Sequence, residues 1–169
     1  MDSDSSNPAL RPQALDFLIT DFGQYLGLEG LAFDDSNVIT LEIDSHIVSL
    51  KFVDERVGIL ITSVIETVPS DVSHLLPLAI CMQNHDSMSQ GLGIVTLDAD
   101  TGDLVWTDRM PTAGLTVDLL NSALTHAVEG VKFWSAFVAG SLQEIDEMDA
   151  LTQASGEAET EANTSLFKV

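Results

Sequence analysis

The residues best suited to chemistry are Asp98-Ala99-Asp100-Thr101, which follow an apolar stretch. A D-x-D-x-T array lets aspartyl phosphatases set a nucleophile beside an acid/base, with magnesium on the carboxylates and a lysine against the phosphate. Here the motif runs straight into Gly102-Asp103 and a second apolar stretch, with no βαβ unit around it. A surface hairpin turn is therefore the expectation. The stretch also fails as a calcium loop, because its fifth position, which needs Asp or Asn, is Gly102. Cys81 and His85 are four apart and could share a helix face as nucleophile and base or as two metal ligands. No second pair completes either set, His46, His74 and His126 being scattered, and Cys81 reads as a small buried hydrophobe. Gly91-Leu92-Gly93 lacks the third glycine and the following helix of a dinucleotide loop, and reads as an entry into a strand. Abundant Asp and Glu do not by themselves nominate an acid/base pair. No catalytic residue, metal site or cofactor is nominated.

The elements around these residues are easier to read. From Pro12, the residues Leu15, Leu18, Ile19, Phe22 and Leu26 fall on one helical face before Gly27, predicting a helix over about residues 12–28. Strands are expected at 31–33 and 38–43, joined by Asp34-Asp35-Ser36-Asn37, then at 47–53 and 57–65. Whether 38–53 is one bent strand or two is open at this stage. Pro69-Ser70-Asp71 closes the meander. A helix with Ser73 as its cap follows to about Asn84, with Pro77 tolerated in the first turn. Strands at 91–97 and 104–107 flank the aspartate turn, and a long amphipathic helix runs from about Thr116 to about Leu142.

The chain has 169 residues, 45% of them hydrophobic, enough for one self-sufficient core. Expected boundaries are a disordered lead over 1–11, a domain over 12–142 and an acidic flexible tail over 143–169. Six lysines and arginines stand against 27 acids, for a net charge of −21, which makes nucleic acid and anionic membrane poor partners. Seven acids and one base belong to 143–169, so the acidity is mainly that of the domain. The lone Cys81 excludes an internal disulfide framework. The first residues lack a signal peptide's basic and apolar regions, and no apolar run approaches the ~20 residues of a membrane span. A cytoplasmic protein without membrane insertion is expected.

The order α-β-β-β-α-β-β-α and the acidity are joined by particular residues. Those are Leu15-Asp16-Phe17-Leu18 to Leu26-Gly27-Leu28, Leu75-Leu76 to Met82-Gln83-Asn84, Gly93-Ile94-Val95-Thr96-Leu97, Asp103-Leu104-Val105-Trp106, and Leu120, Leu124 and Phe133-Trp134. Over about residues 12–142 the sequence resembles the class I type III secretion chaperones, the CesT/SycE-like or Tir chaperone family. The tail and Pro77 depart from that pattern. The resemblance implies an α+β fold, with a twisted, mainly antiparallel sheet packed by helices, in a bacterial cytoplasmic homodimer. It also implies binding of the N-terminal region of a secreted effector, kept extended and soluble and delivered to the secretion apparatus without ATP hydrolysis. The secretion ATPase is a further candidate partner. Effector contact would need exposed apolar patches and a free strand edge. The candidates are Phe17, Leu18, Phe22, Tyr25, Leu28, Phe33, Leu41 and Ile43, with core packing as the competing role. The dimer interface by resemblance is Leu75, Leu76, Leu78, Ala79, Ile80 and Met82, which are apolar nearly all round their helix. A YbjN-like regulatory binding module is the alternative, and a magnesium phosphatase using Asp98 and Asp100 a remote one.

Overall fold

Pro12 stands in extended backbone (φ −61°, ψ 132°) before the first helix, its carbonyl accepting the Leu15 N–H at 2.9 Å. It is thus a cap position and not, as expected, a first-turn residue. Eight elements follow in the residues described by a computed structural model, 11–54, 56–68 and 75–165. They are α1 (Gln13–Leu26), β1 (Val38–Ile43), β2 (His46–Asp54), β3 (Gly58–Thr67), α2 (Leu75–Gln90), β4 (Ile94–Leu97), β5 (Asp103–Met110) and α3 (Val117–Ser165). The expectations for most of the polar lead, the 69–71 turn, the Ser73 cap and Leu166-Phe167 lie outside the described residues.

Two local devices fix the first strands. Asp34 Oδ1 accepts the N–H groups of Ser36 and Val38, each at 2.8 Å, while the Asp34 N–H donates to the Val38 carbonyl. This side-chain-held turn leads into β1, so residues 31–33 form no strand and that expectation is corrected. Asp44 and Ser45, at φ 49° and 68°, then form a two-residue turn with both centres left-handed, as a tight hairpin requires. Residues 38–53 are therefore two strands, β1 and β2, paired Val38 to Lys51 through Ile43 to His46.

The five strands pair antiparallel throughout in the order β1-β2-β3-β5-β4. Alternation puts Ile39, Leu41, Val48, Leu50, Phe52, Ile59, Ile61, Val95, Leu104, Trp106 and Met110 on one buried face. Helices cover that face alone: Leu15, Ile19 and Phe22 from α1, Leu76 and Ile80 from α2, and Leu120, Leu124, Ala127, Val131, Trp134 and Val138 from α3. At the centre, Trp106 donates its Nε1–H to the Leu92 carbonyl at 2.9 Å. A Cβ built on Gly93 would lie 2.5 Å from this ring nitrogen, and one on Gly130 of α3 2.7 Å from it. The indole fits because both neighbours lack a side chain.

Two helices run past their expected ends. α2 continues to Gln90, where Gly91 (φ 70°) ends it with the Leu92 N–H on the Ser87 carbonyl at 3.0 Å. The polar residues after Asn84 continue the helix, and Ser87 among them is fully buried. Pro77 is the third residue of α2, where a missing N–H leaves no intrahelical bond unmade. α3 continues beyond Leu142 to Ser165, because residues 143–165 contain no proline and many Glu, Ala and Gln, which favour helix.

Gly130 and Gly140 give a paired test. Both lie in α3, where alanine ordinarily gains about 0.5–1 kcal/mol over glycine, but a Cβ at Gly140 meets nothing within 4 Å. Gly140→Ala should raise the urea midpoint, and Gly130→Ala should lower stability by about 1–3 kcal/mol through overpacking on Trp106.

Candidate functional site

Helix α1 covers only part of the sheet's buried face, and a groove opens on each side of it. The first, of about 620 Å³, lies between Pro12, Ala14, Leu15, Phe17, Leu18 and Asp21 and the loop at Thr112, Ala113, Gly114 and Leu115. The second, of about 460 Å³, lies between the C-terminal half of α1, β1 and α3. Phe22, Leu41, Leu124 and Val128 make its floor, and Leu26, Leu28 and Ile43 its apolar sides. Its mouth is polar: Glu42, Glu129 and an exposed ion pair of Lys132 Nζ with Asp44 Oδ2 at 3.0 Å.

β1, which borders the second groove, is an edge strand. Its first outward main-chain groups, at Val38, are taken by Asp34. By the alternation of an antiparallel pair, the next outward N–H and C=O groups belong to Thr40 and Glu42. The opposite edge differs. Asn84 of α2 donates its Nδ2–H to the Val95 carbonyl and accepts the Val95 N–H on Oδ1, both at 2.8 Å, so a side-chain amide stands in for a sixth strand.

The candidate contact residues divide accordingly. Phe17 (62% exposed), Tyr25 (59%) and Leu28 (44%) are open to solvent, and Leu18 and Ile43 are half-buried. Phe22, Phe33 and Leu41 are core residues, Phe22 with no exposure at all. Phe33 also carries the Arg11 guanidinium 4.5 Å above its ring, and Arg11 is paired with Asp16. On α2, Leu75, Leu78 and Met82 are exposed, Ala79 is half-buried, and Leu76 and Ile80 are buried against the sheet. Between α2 and β4 lies a cleft of about 480 Å³ lined by Leu76, Pro77, Ile80, Cys81 and Leu97. Sequence periodicity found the apolar residues of both helices but not the edge pairing by Asn84, since an asparagine near a helix end resembles a stop.

Asp98 and His126, among the residues considered for chemistry, have structural partners. Asp98 Oδ1 accepts the N–H groups of Asp100 at 2.9 Å and Thr101 at 3.4 Å, which closes the β4–β5 hairpin. The Thr67 hydroxyl, donating to Asp103 at 2.6 Å, holds that carboxyl below the usual carboxylate range, with Thr101 adding to the effect. Cys81 is exposed, correcting the expectation of a buried hydrophobe, and His126 Nε2 is bonded to the Gly91 carbonyl. Among the described residues no three His, Cys, Asp or Glu converge on a metal-sized space. None of their helices is long and apolar enough to cross a membrane.

A profile of the Tir chaperone protein (CesT) family matches residues 17–135. Similar folds occur in the ExsC–ExsE complex, where a chain 18% identical aligns over 75% of this chain and 94% of its own with a TM-score of 0.65. The HopA1–SchA chaperone–effector complex also contains one, at 18% identity, 75% and 99% coverage and a TM-score of 0.60. The heterodimeric ExoU–SpcU complex from the type III secretion system of Pseudomonas aeruginosa gives 19%, 73% and 96%, and 0.51. No curated protein sequence matches significantly.

Burial separates two phenylalanines one helical turn and a residue apart on α1. Phe22→Asp puts a charge into the core and should abolish cooperative unfolding in a thermal melt, whereas Phe17→Asp should leave the melting temperature within a few degrees.

Proposed function

The chain belongs to the Tir chaperone protein (CesT) family, and on that basis we propose that it holds the N-terminal region of a secreted effector extended along α1 and β1. The observation that carries this reading is the pair of grooves flanking α1, one of them beside a strand edge with outward main-chain groups at Thr40 and Glu42. An extended segment can add hydrogen bonds at that edge and bury alternate apolar side chains in the adjoining groove. Phe17, Leu18, Leu28 and Ile43 make direct contact in this arrangement. Phe22 and Leu41 shape the groove from beneath. Tyr25, exposed on α1, adds apolar surface to the same side.

The protein acts by binding alone, in the cytoplasm, without hydrolysing ATP and without a cofactor. It keeps the effector soluble and hands it to the secretion apparatus, with the secretion ATPase as the docking partner there. A homodimer forms through the outer side of α2, where Leu75, Leu78 and Met82 follow one another at helical spacing and are exposed in the single chain. Leu76 and Ile80 support that interface from the core.

Co-expression with the effector should make the effector's N-terminal segment resistant to limited proteolysis. Phe17→Asp combined with Leu28→Asp should weaken binding by about tenfold or more with the fold retained; unchanged protection would remove the grooves from the binding surface. Light scattering should give twice the 18.2 kDa chain mass, and Leu78→Asp with Met82→Asp should halve it. A monomeric parent protein would overturn the α2 interface.

A further inference from the structure

The sheet face turned away from the helices carries an ordered array that the effector grooves and α2 do not use. Registered partners place Val38, Lys51, Leu60 and Arg109 in one row across β1, β2, β3 and β5. Two residues along each strand, a second row consists of Thr40, Ser49, Thr62 and Thr107. The hydroxyls of Thr40 and Ser49 are 3.4 Å apart. Lys51 and Arg109 are exposed and separated by two strand spacings, about 9–10 Å. Arg56 is exposed in the β2–β3 turn at the same end of the sheet. Neither row contains a carboxylate; Glu42 lies one step beyond the hydroxyls, Asp54 is turned into the β2–β3 turn by the Arg56 and Val57 N–H groups, and Asp108 alternates to the helix-covered side.

This is a strong local departure from the chain's composition. Of six cationic residues, Arg11 is bound to Asp16 and Lys132 to Asp44, and Lys168 is outside the described residues. The remaining three gather at one end of an open face in a protein of charge −21. We infer that this face docks an acidic, extended segment of a partner protein, its carboxylates on Lys51, Arg56 and Arg109 and its backbone along the hydroxyl row. The charge complementarity is the ground for this occupant. Carboxylates suit both the cations and the hydroxyl donors. Three cations over so short a span neutralise too few phosphates to hold a nucleic acid against the rest of the surface. The face lies on the other side of the sheet from both grooves and shares only Thr40 with the proposed effector edge, there through its main-chain groups.

The test uses the full chain and a fluorescein-labelled peptide of about twelve residues with alternating Glu and Thr, set against the same peptide with Lys for Glu. Fluorescence anisotropy should show saturable binding of the acidic peptide only, weakening about tenfold or more between about 50 and about 300 mM salt. Lys51→Glu with Arg109→Glu should abolish it, and the milder Lys51→Gln with Arg109→Gln should weaken it, while circular dichroism and effector protection stay unchanged. No binding, equal binding of the lysine peptide, or binding indifferent to both double variants overturns the proposal. A fall in the oligomer mass on charge reversal also overturns it, since a second copy would then be the occupant.

Discussion

Helix α3 can approach the sheet closely only because Gly130 and Gly93 leave room for the Trp106 indole between them. The indole is wholly buried, and its one polar atom is satisfied by the Leu92 carbonyl. That contact sets the height of α3 above β2, β3 and β5, and with it the space left on either side. α1 fills one flank incompletely, which produces the two grooves. α2 fills the other through Leu76 and Ile80 and presents Leu78 and Met82 outward. A β-carbon at either glycine would lift the helix and change every one of these spacings.

Layering on a single side of the sheet has a second effect. One face of the sheet is a conventional apolar core, and the other is left to side chains that must meet water. That face carries Thr40, Ser49, Lys51 and Arg109, and beside them Glu42 and the apolar Val38, Ile47, Leu60 and Val64. The net charge of −21 thus coexists with apolar grooves and a local cationic region. Mutual repulsion opposes non-specific association of such a surface in spite of its exposed Phe17 and Tyr25.

Because burying one side of a helix or strand leaves a direct trace in residue spacing, periodicity together with turn residues was enough to read the helices, most strands and the apolar stripes of α1 and α3, though not the absence of a strand at 31–33. It could not tell which apolar residue of α1 ends in the core, because Phe17 and Phe22 look alike in a list of large side chains. The β1–β2 turn was hidden because Asp44-Ser45 adopts left-handed backbone without the glycine that usually announces it. The continuation of α2 past Asn84 and of α3 past Leu142 was hidden for a related reason: a run of polar residues interrupts the apolar stripe without ending the helix. Most distant from the sequence was the bond between Asn84 and Val95, eleven residues apart and formed only once α2 lies against the sheet.

That amide makes the two rims of the sheet unequal. Copies of a sheet protein polymerise when each offers two complementary free rims, so that every addition regenerates a place for the next. Here β4 is only four residues long and its second residue, Val95, is already bonded on the outer side. A β1 rim of one copy therefore finds no complementary free rim at β4 of another. Asn84 thus closes one rim of the sheet from within the chain and leaves β1 as the receptive one.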